Sequence, residues 1–335
     1  MTRLLVITPG FHGYGESIAD AFRRLDHEVT VHRYDAVPST AIKVWNKARY
    51  ETVARVRGTD NHLSTQRATR GAVQAVRGMR PDVVLVIRGD LFDPEFWQVA
   101  AAGGRPTIVW LYDEIRRTPR FDVGVVAQHA RLVSYSPHDS QELSAQGFET
   151  TYVPTAFDDL RPVAQHSGAE GVVSFVGAPL PGRVAALRAL MDAGVPVRAW
   201  GRGWSDHPVD RARTWRVRSR GIPNHRDVPG DVSLSIMRDS VSTLNVHGDQ
   251  DGFTMRTFES CAVGGVQLID RPDVSEFYEP GSEVLVFTSD DELIDHARHV
   301  LARPGDFDDL RRRARDRTFA QHTFVHRARA LERLW

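Results

Sequence analysis

The chain has 335 residues, with 43 basic and 43 acidic side chains and a formal net charge of zero at neutral pH. That length suits two domains of ordinary size, and the balanced charge gives no broad attraction for nucleic acid or acidic membranes. A single cysteine, Cys261, excludes an internal disulfide framework or a cysteine metal cluster, and apolar runs such as Val83 to Ile87 are too short for a membrane span.

The first residues, Met1-Thr-Arg-Leu-Leu-Val-Ile-Thr-Pro9, read as a strand and lack a signal peptide's apolar region, so a cytoplasmic protein is expected. Leu4–Thr8 and Val29–Tyr34 have the pattern of buried strands, with helical spacing over Glu16–Leu25 between them. Residues 38–62 are polar and irregular, and Thr65–Arg77 is expected as a helix. Further strands are expected at Val83–Ile87, Thr107–Leu111, Leu132–Tyr135 and Thr150–Val153. Helices are expected around Glu95–Ala102, Asp122–Gln128 and Asp139–Gln146. Residues 156–170, rich in Asp, Pro, Gly and Ser, break this rhythm as an interdomain linker.

The alternation then restarts. Strands are expected at Val172–Val176, Val197–Trp200, Val241–Val246, Val266–Ile269 and Val284–Phe287. Helices are expected at Arg183–Ala193, Ser233–Arg238, Thr254–Val263 and Asp291–Ala302, and the end of the chain is helical and charged. Strands alternating with helices imply parallel sheets covered on both faces. The expected fold is therefore α/β, with two tandem Rossmann-like domains facing a central cleft and C-terminal helices. The boundaries are 1–155, a linker at 156–170, a nucleotide-binding domain at 171–320, and a helix at 321–335 that packs back on the first domain.

The stretch Asp251-Gly-Phe-Thr-Met-Arg-Thr-Phe-Glu259 carries the sharpest chemistry. A helix start is an anion site, because its first N–H groups are unpaired and its dipole is positive there. Gly252 and Phe253 form the turn, Thr254 can cap the helix, and Arg256 adds a positive charge. Glu259, one turn in, suits a neutral diol such as a ribose. A diphosphate beside a ribose is a nucleotide diphosphate. Gly177 after a strand and Arg183 at the next helix start repeat the phosphate logic, as does Arg202 in Trp200-Gly-Arg-Gly-Trp204. Ile222 and Pro223 are candidates for a loop that reads a nucleobase.

In the first half, Pro9-Gly-Phe-His-Gly-Tyr-Gly15 follows the first strand. Its glycines, Gly13 among them, allow close backbone approach to a ligand or simply tight packing. His12 at its tip is a candidate base or a surface histidine. Asp113 and Glu114 end a strand, where a carboxylate can act as base, hold acceptor hydroxyls, or cap a helix. Arg88-Gly89-Asp90 admits the same readings. The arginines of the stretch Arg211–Arg220, Arg216 included, suit either a solvated face or a nucleic-acid face. Asp249-Gln-Asp251 has the form of a carboxylate metal pair, but the helix start and Arg256 already supply positive charge, so no metal is expected.

Gly252 to Glu259, Glu276-Phe-Tyr-Glu-Pro-Gly-Ser-Glu-Val284, Asp291-Glu-Leu293 and His322-Thr-Phe-Val-His-Arg327 resemble the spore-maturation CgeB-like group of GT-B glycosyltransferases. The resemblance covers about residues 172 to 330. In related families two acidic residues separated by seven others flank the donor, and Asp251 and Glu259 have that spacing. The resemblance implies that Glu259 binds the donor ribose and that Asp251 lies near the donor sugar, with Asp standing where those families usually carry Glu. The expectation is a metal-independent glycosyltransferase without a cofactor. It would move a sugar from a nucleotide-diphosphate sugar, a UDP-sugar favoured, to an unidentified hydroxyl acceptor. Alternatives are a nucleotide-sugar epimerase or hydrolase of the same fold, a DNA-modifying or otherwise nucleic-acid-associated protein, or a non-catalytic binding module.

Overall fold

A computed structural model describes residues 1–10, 13–35, 62–215 and 218–335. His12, Arg216 and most of the stretch expected to be irregular lie outside them. Two compact units result, one of Met1–Thr155 with Phe324–Trp335 and the other of Ala156–Thr323.

In the N-terminal unit six parallel strands run in the order β2-β1-β3-β4-β5-β6. These are β1 (Arg3–Thr8), β2 (Glu28–Arg33), β3 (Val83–Ile87), β4 (Thr107–Leu111), β5 (Arg131–Ser134) and β6 (Thr150–Tyr152). β3 and β4 are buried along their whole length, as central parallel strands covered on both faces must be. The core gathers Leu5, Ile7, Val84, Val86 and Val109 against Phe96 and Trp97 of the Pro94–Ala100 helix. The last helix, Phe324–Glu332, is tied to this unit by Arg327, whose Nε donates to the carbonyls of Pro154 (3.0 Å) and Thr155 (3.1 Å).

The C-terminal unit has six parallel strands in the order β12-β11-β10-β7-β8-β9. They are β7 (Val173–Val176), β8 (Val197–Trp200), β9 (Asn224–His225), β10 (Ser242–Asn245), β11 (Gln267–Ile269) and β12 (Leu285–Val286). Read from the other edge this is 3-2-1-4-5-6 within the unit, the strand order of dinucleotide-binding sheets. The order reverses between β7 and β10, so their carboxyl ends form the switch point at which such sheets take ligands. Leu187, Leu190, Leu244, Leu268 and Leu293 pack together in its core.

Residues 156–170 do not span free between the units. Phe157 N–H donates to the His322 carbonyl at 2.9 Å, Ala164 N–H to Asp231 at 3.1 Å, and Ala169 is fully buried. A polar composition had the look of a linker, but its polar atoms are spent on contacts within the C-terminal unit. Within the arginine-rich stretch, Pro208–Arg213 is a short helix, and Arg213 and Arg218 are exposed.

No helix among the described residues is long and apolar enough to cross a membrane.

Candidate functional site

The switch point of the C-terminal sheet is built by side chains that reach across it. Arg183, in the Pro181–Asp192 helix after β7, donates Nε to the Val246 carbonyl just past β10 at 2.9 Å. Its Nη1 reaches the Ala178 carbonyl at 3.2 Å. Burial lowers the pKa of this guanidinium, and the nearby charge of Arg256 lowers it further. Arg183 was expected to face a diphosphate directly. One edge is instead fastened to backbone, and Nη2 makes no hydrogen bond among the described residues. Arg256 shows the same division: its Nη1 donates to Ser233 Oγ at 2.8 Å and lies 3.4 Å from Glu259 Oε2.

Glu259 is buried, its side chain 7% exposed, and it is held between two arginines. Oε1 accepts from Arg161 Nη1 at 3.2 Å and Oε2 faces Arg256. Arg161 escaped the sequence reading because it sits in the stretch taken for a linker, 98 residues away. Both carboxylate oxygens therefore face a cation. Thr254 precedes the Met255–Ala262 helix as expected, but its hydroxyl makes no capping bond.

The turn before that helix is gripped by two consecutive residues after β11. Asp270 accepts from the backbone N–H of His247 (2.9 and 3.0 Å) and Gly248 (3.2 Å). Arg271 donates to the carbonyls of Gln250 (2.6 Å) and Asp251 (2.9 Å), and its guanidinium stacks 4.5 Å from the centre of the Phe253 ring. Phe253, expected to touch the donor, is 1% exposed and packs edge-on against His247. Its ring is part of the core. Gly252 is buried beside it, while Asp251 stays half-buried with its backbone anchored.

A polar chain runs inward from Asp270. His247 Nδ1 lies 3.3 Å from Asp270 Oδ1, and His247 Nε2 lies 3.2 Å from Thr257 Oγ1. Asn245 Nδ2 donates to Thr257 Oγ1 (3.1 Å) and Gln267 Oε1 (2.6 Å), and Gln267 Nε2 to Cys261 Sγ (3.3 Å). One assignment of protons satisfies every link: Nδ1–H donates to the carboxylate and the Thr257 hydroxyl donates to Nε2. Burial lowers the His247 pKa despite Asp270, favouring the neutral ring this assignment needs. Burial would raise the Asp270 carboxyl, but the bonds from the His247 ring and backbone outweigh it and hold it low. Sequence reasoning missed His247, Asp270 and Arg271. The available signal was polar residues placed just past the strands β10 and β11.

Other donor-side candidates are placed differently from expectation. Gly177 and Gly201 allow two loops to meet: a Cβ on Gly201 would lie 2.6 Å from the Gly177 carbonyl oxygen, which also accepts from Trp204 Nε1. Their demand is packing at the ends of β7 and β8. Ile222 is 2% exposed and belongs to the core, and the Pro223 carbonyl accepts from Ala199 N–H in the sheet ladder. The side chain of Ile222 and the carbonyl of Pro223 are thus not free to read a base. Arg202 is exposed, 3.5 Å from Asp227.

In the N-terminal unit, Asp113 follows β4 and pairs with Arg88 at 3.3 Å, while Arg88 also pairs with Asp90 at 3.2 Å. Arg88 adopts a left-handed backbone (φ 72°) at the end of β3. Burial raises the Asp113 pKa against the pull of Arg88, the direction a proton acceptor near neutral pH requires. Glu114 does not share this setting. It is 1% exposed, and Oε2 accepts from Arg116 (2.7 Å) and Arg117 (2.8 Å). A buried carboxylate so occupied fixes the local turn. Gly13, with φ 79°, precedes the Tyr14–Arg23 helix as a backbone device.

The sequence pattern of the family described as glycosyl transferase-like matches residues 183–333, the part of the chain that holds Arg183, His247, Glu259 and Asp270. No curated protein sequence matches the chain. Among solved structures it is similar to HepE from Anabaena in complex with UDP-glucose, with a TM-score of 0.66 and 12% identity over 99% of each chain. It is similar to sucrose-phosphate synthase from Thermosynechococcus elongatus, with a TM-score of 0.66 and 13% identity over 100% of this chain and 98% of that one. A glycosyltransferase from Rickettsia africae follows with a TM-score of 0.63 and 10% identity over 99% and 97%. The chain has the two-sheet α/β architecture of GT-B glycosyltransferases.

Proposed function

We propose that the chain moves a sugar from a nucleotide-diphosphate sugar, a UDP-sugar in the first instance, to a hydroxyl acceptor without a metal ion. The observation that carries this is the Arg161–Glu259–Arg256 cluster at a helix start, inside the segment that matches the glycosyl transferase-like pattern. Complexes of the similar HepE with UDP-glucose and with UDP support the choice of donor. The shared motifs at 252–259 and 276–284 support membership of the CgeB-like group, and the reduced, buried Cys261 fits a cytoplasmic protein.

The reaction needs the anomeric carbon–oxygen bond to break with its electron pair leaving on the diphosphate, while the acceptor oxygen bonds to that carbon. The Nη2 edges of Arg183 and Arg256 and the Met255–Ala262 helix start would meet the developing negative charge. Because one edge of each guanidinium is already anchored, little reorganisation is required when charge appears. Glu259, held between its arginines, would meet the ribose. The acceptor proton goes to Asp113 or His12 in an inverting enzyme, or to the departing diphosphate in a retaining one.

The test is a thermal-shift screen of nucleotides followed by turnover of the best sugar donor. UDP at a hundredfold over its Kd stabilises the protein by about 2.7 kcal/mol if it binds only the native state. No shift with any nucleoside diphosphate refutes the donor site. Release of UDP at equal rates with and without every acceptor tried marks a hydrolase or an epimerase instead.

A further inference from the structure

A cavity of about 500 Å³ opens in the N-terminal unit between the end of β2 and the first half of the His62–Met79 helix. That volume lies within the range of small-ligand pockets, about 300–1,000 Å³. Among the described residues its lining includes His32, Arg33, Tyr34, Arg67, Arg70 and Gln74, and no carboxylate. Arg33 is neutralised in part by Glu16 at 3.0 Å. Arg67 and Arg70, three residues apart and so on one helix face, have no ion-pair partner among the described residues. The Nε2 of His32 is buried and makes no hydrogen bond there either. The helix comes close enough that a Cβ on Gly71 would lie 3.4 Å from this nitrogen. Two exposed arginines beside an unbonded ring nitrogen, with no carboxylate among the described residues of the wall, are an arrangement that an anion completes.

The position within the sheet adds a second observation. Open parallel sheets take ligands at the carboxyl ends of their strands, and the cavity lies at that end of β2. Tyr34, which lines it, is near enough to Arg88, Asp90 and Asp113 for their charges to act on its hydroxyl. Carboxylates of this kind hold sugar or polyol hydroxyls, so anion-binding and hydroxyl-binding groups are neighbours at the carboxyl end of one sheet.

We propose that the cavity is the anion subsite of the acceptor, and that the acceptor is a phosphorylated polyol or sugar. Its phosphate lies against Arg67 and Arg70, and its hydroxyls turn toward Asp90 and Asp113. The acceptor role rests on the glycosyltransferase reading; the anion site by itself does not.

The experiment uses the full chain, wild type and Arg67→Gln/Arg70→Gln, with UDP at saturation so that phosphate cannot report on the donor pocket. Inorganic phosphate is titrated by calorimetry, and glucose 6-phosphate is compared with glucose. We expect the wild type to bind phosphate, and to bind glucose 6-phosphate at least tenfold more tightly than glucose. Both properties should be lost in the variant while its UDP affinity is unchanged. The two arginines are exposed, so the variant retains its core, and an unchanged Tm verifies this. Phosphate binding that is equal in the two proteins, or absent from the wild type, overturns the proposal, as does equal affinity for glucose and glucose 6-phosphate. Failure of UDP to bind, with arginine-dependent phosphate binding intact, refutes the donor reading and upholds the anion site.

Discussion

Replacing Glu259 by Gln is the most direct probe of the donor site. The carboxylate is 7% exposed, Arg161 is 15% exposed and Arg256 is 27% exposed, so solvent screens the cluster weakly. Gln keeps the volume but removes the charge, and its amide N–H₂ must face one of the two guanidiniums. Breaking a buried pair in this way costs about 3–5 kcal/mol, because the partners stay buried without a counter-charge. Arg161→Ala should cost less, about 1.5–3 kcal/mol, the scale of one hydrogen bond to a charged group, since Glu259 keeps Arg256. The double variant should cost less than the sum of the two by about 0.5–3 kcal/mol, because each single change already breaks the 3.2 Å contact. Urea unfolding measures all three. Calorimetry with UDP on Glu259→Gln should show a further loss of about 1–3 kcal/mol in binding, the scale of a charge-assisted hydrogen bond to the ribose. Additive urea costs would refute the coupling. An unchanged UDP affinity would reduce Glu259 to an anchor for its arginines and remove it from the donor contacts.

Three further outcomes are expected. His247 has a folded-state pKa below its unfolded value of 6.5, so its contribution to stability is present above pH 6.5 and is lost as pH falls toward the folded value, at up to about 1.4 kcal/mol per pH unit. Urea midpoints between pH 7.5 and 5 measure it, and His247→Asn should flatten the slope; an unchanged slope would show that the ring charges freely in the fold. Asp113→Ala should lower kcat by about a hundredfold or more with donor affinity unchanged, the scale of losing a general base, and a normal kcat removes Asp113 from that role. Burial pushes the Cys261 thiol up to about 12, so iodoacetamide should label it only after unfolding; fast labelling of the native protein would contradict its buried bond to Gln267.

Strands such as Val83–Ile87 and Thr107–Leu111 were legible to the residue, because nearly continuous apolar runs of that length bounded by polar turns have few other uses. The two-residue β9 left no periodicity to read, and its existence depends on Ala199 and Trp200 offering a ladder. Of the candidate site, Arg183, Arg256 and Glu259 were legible as residues, from glycine-bearing turns at helix starts. Their partners were not. Arg161 lies 98 positions from Glu259, and Asp270 lies 23 positions from the His247 backbone that it grips.

The sequence by itself therefore determined the local elements, the repeating α/β order and the helix start where an anion can bind, since each follows from the period and chemistry of neighbouring residues. Only the tertiary structure decided which way the charges point. It turned Phe253 and Ile222 into core, closed Glu114 between two arginines, and spent one edge of Arg183 and Arg256 on anchoring. The physical reason is that a polar group removed from water must find a partner, and the partner is whatever the packed strands bring to within about 3 Å, near or far along the chain.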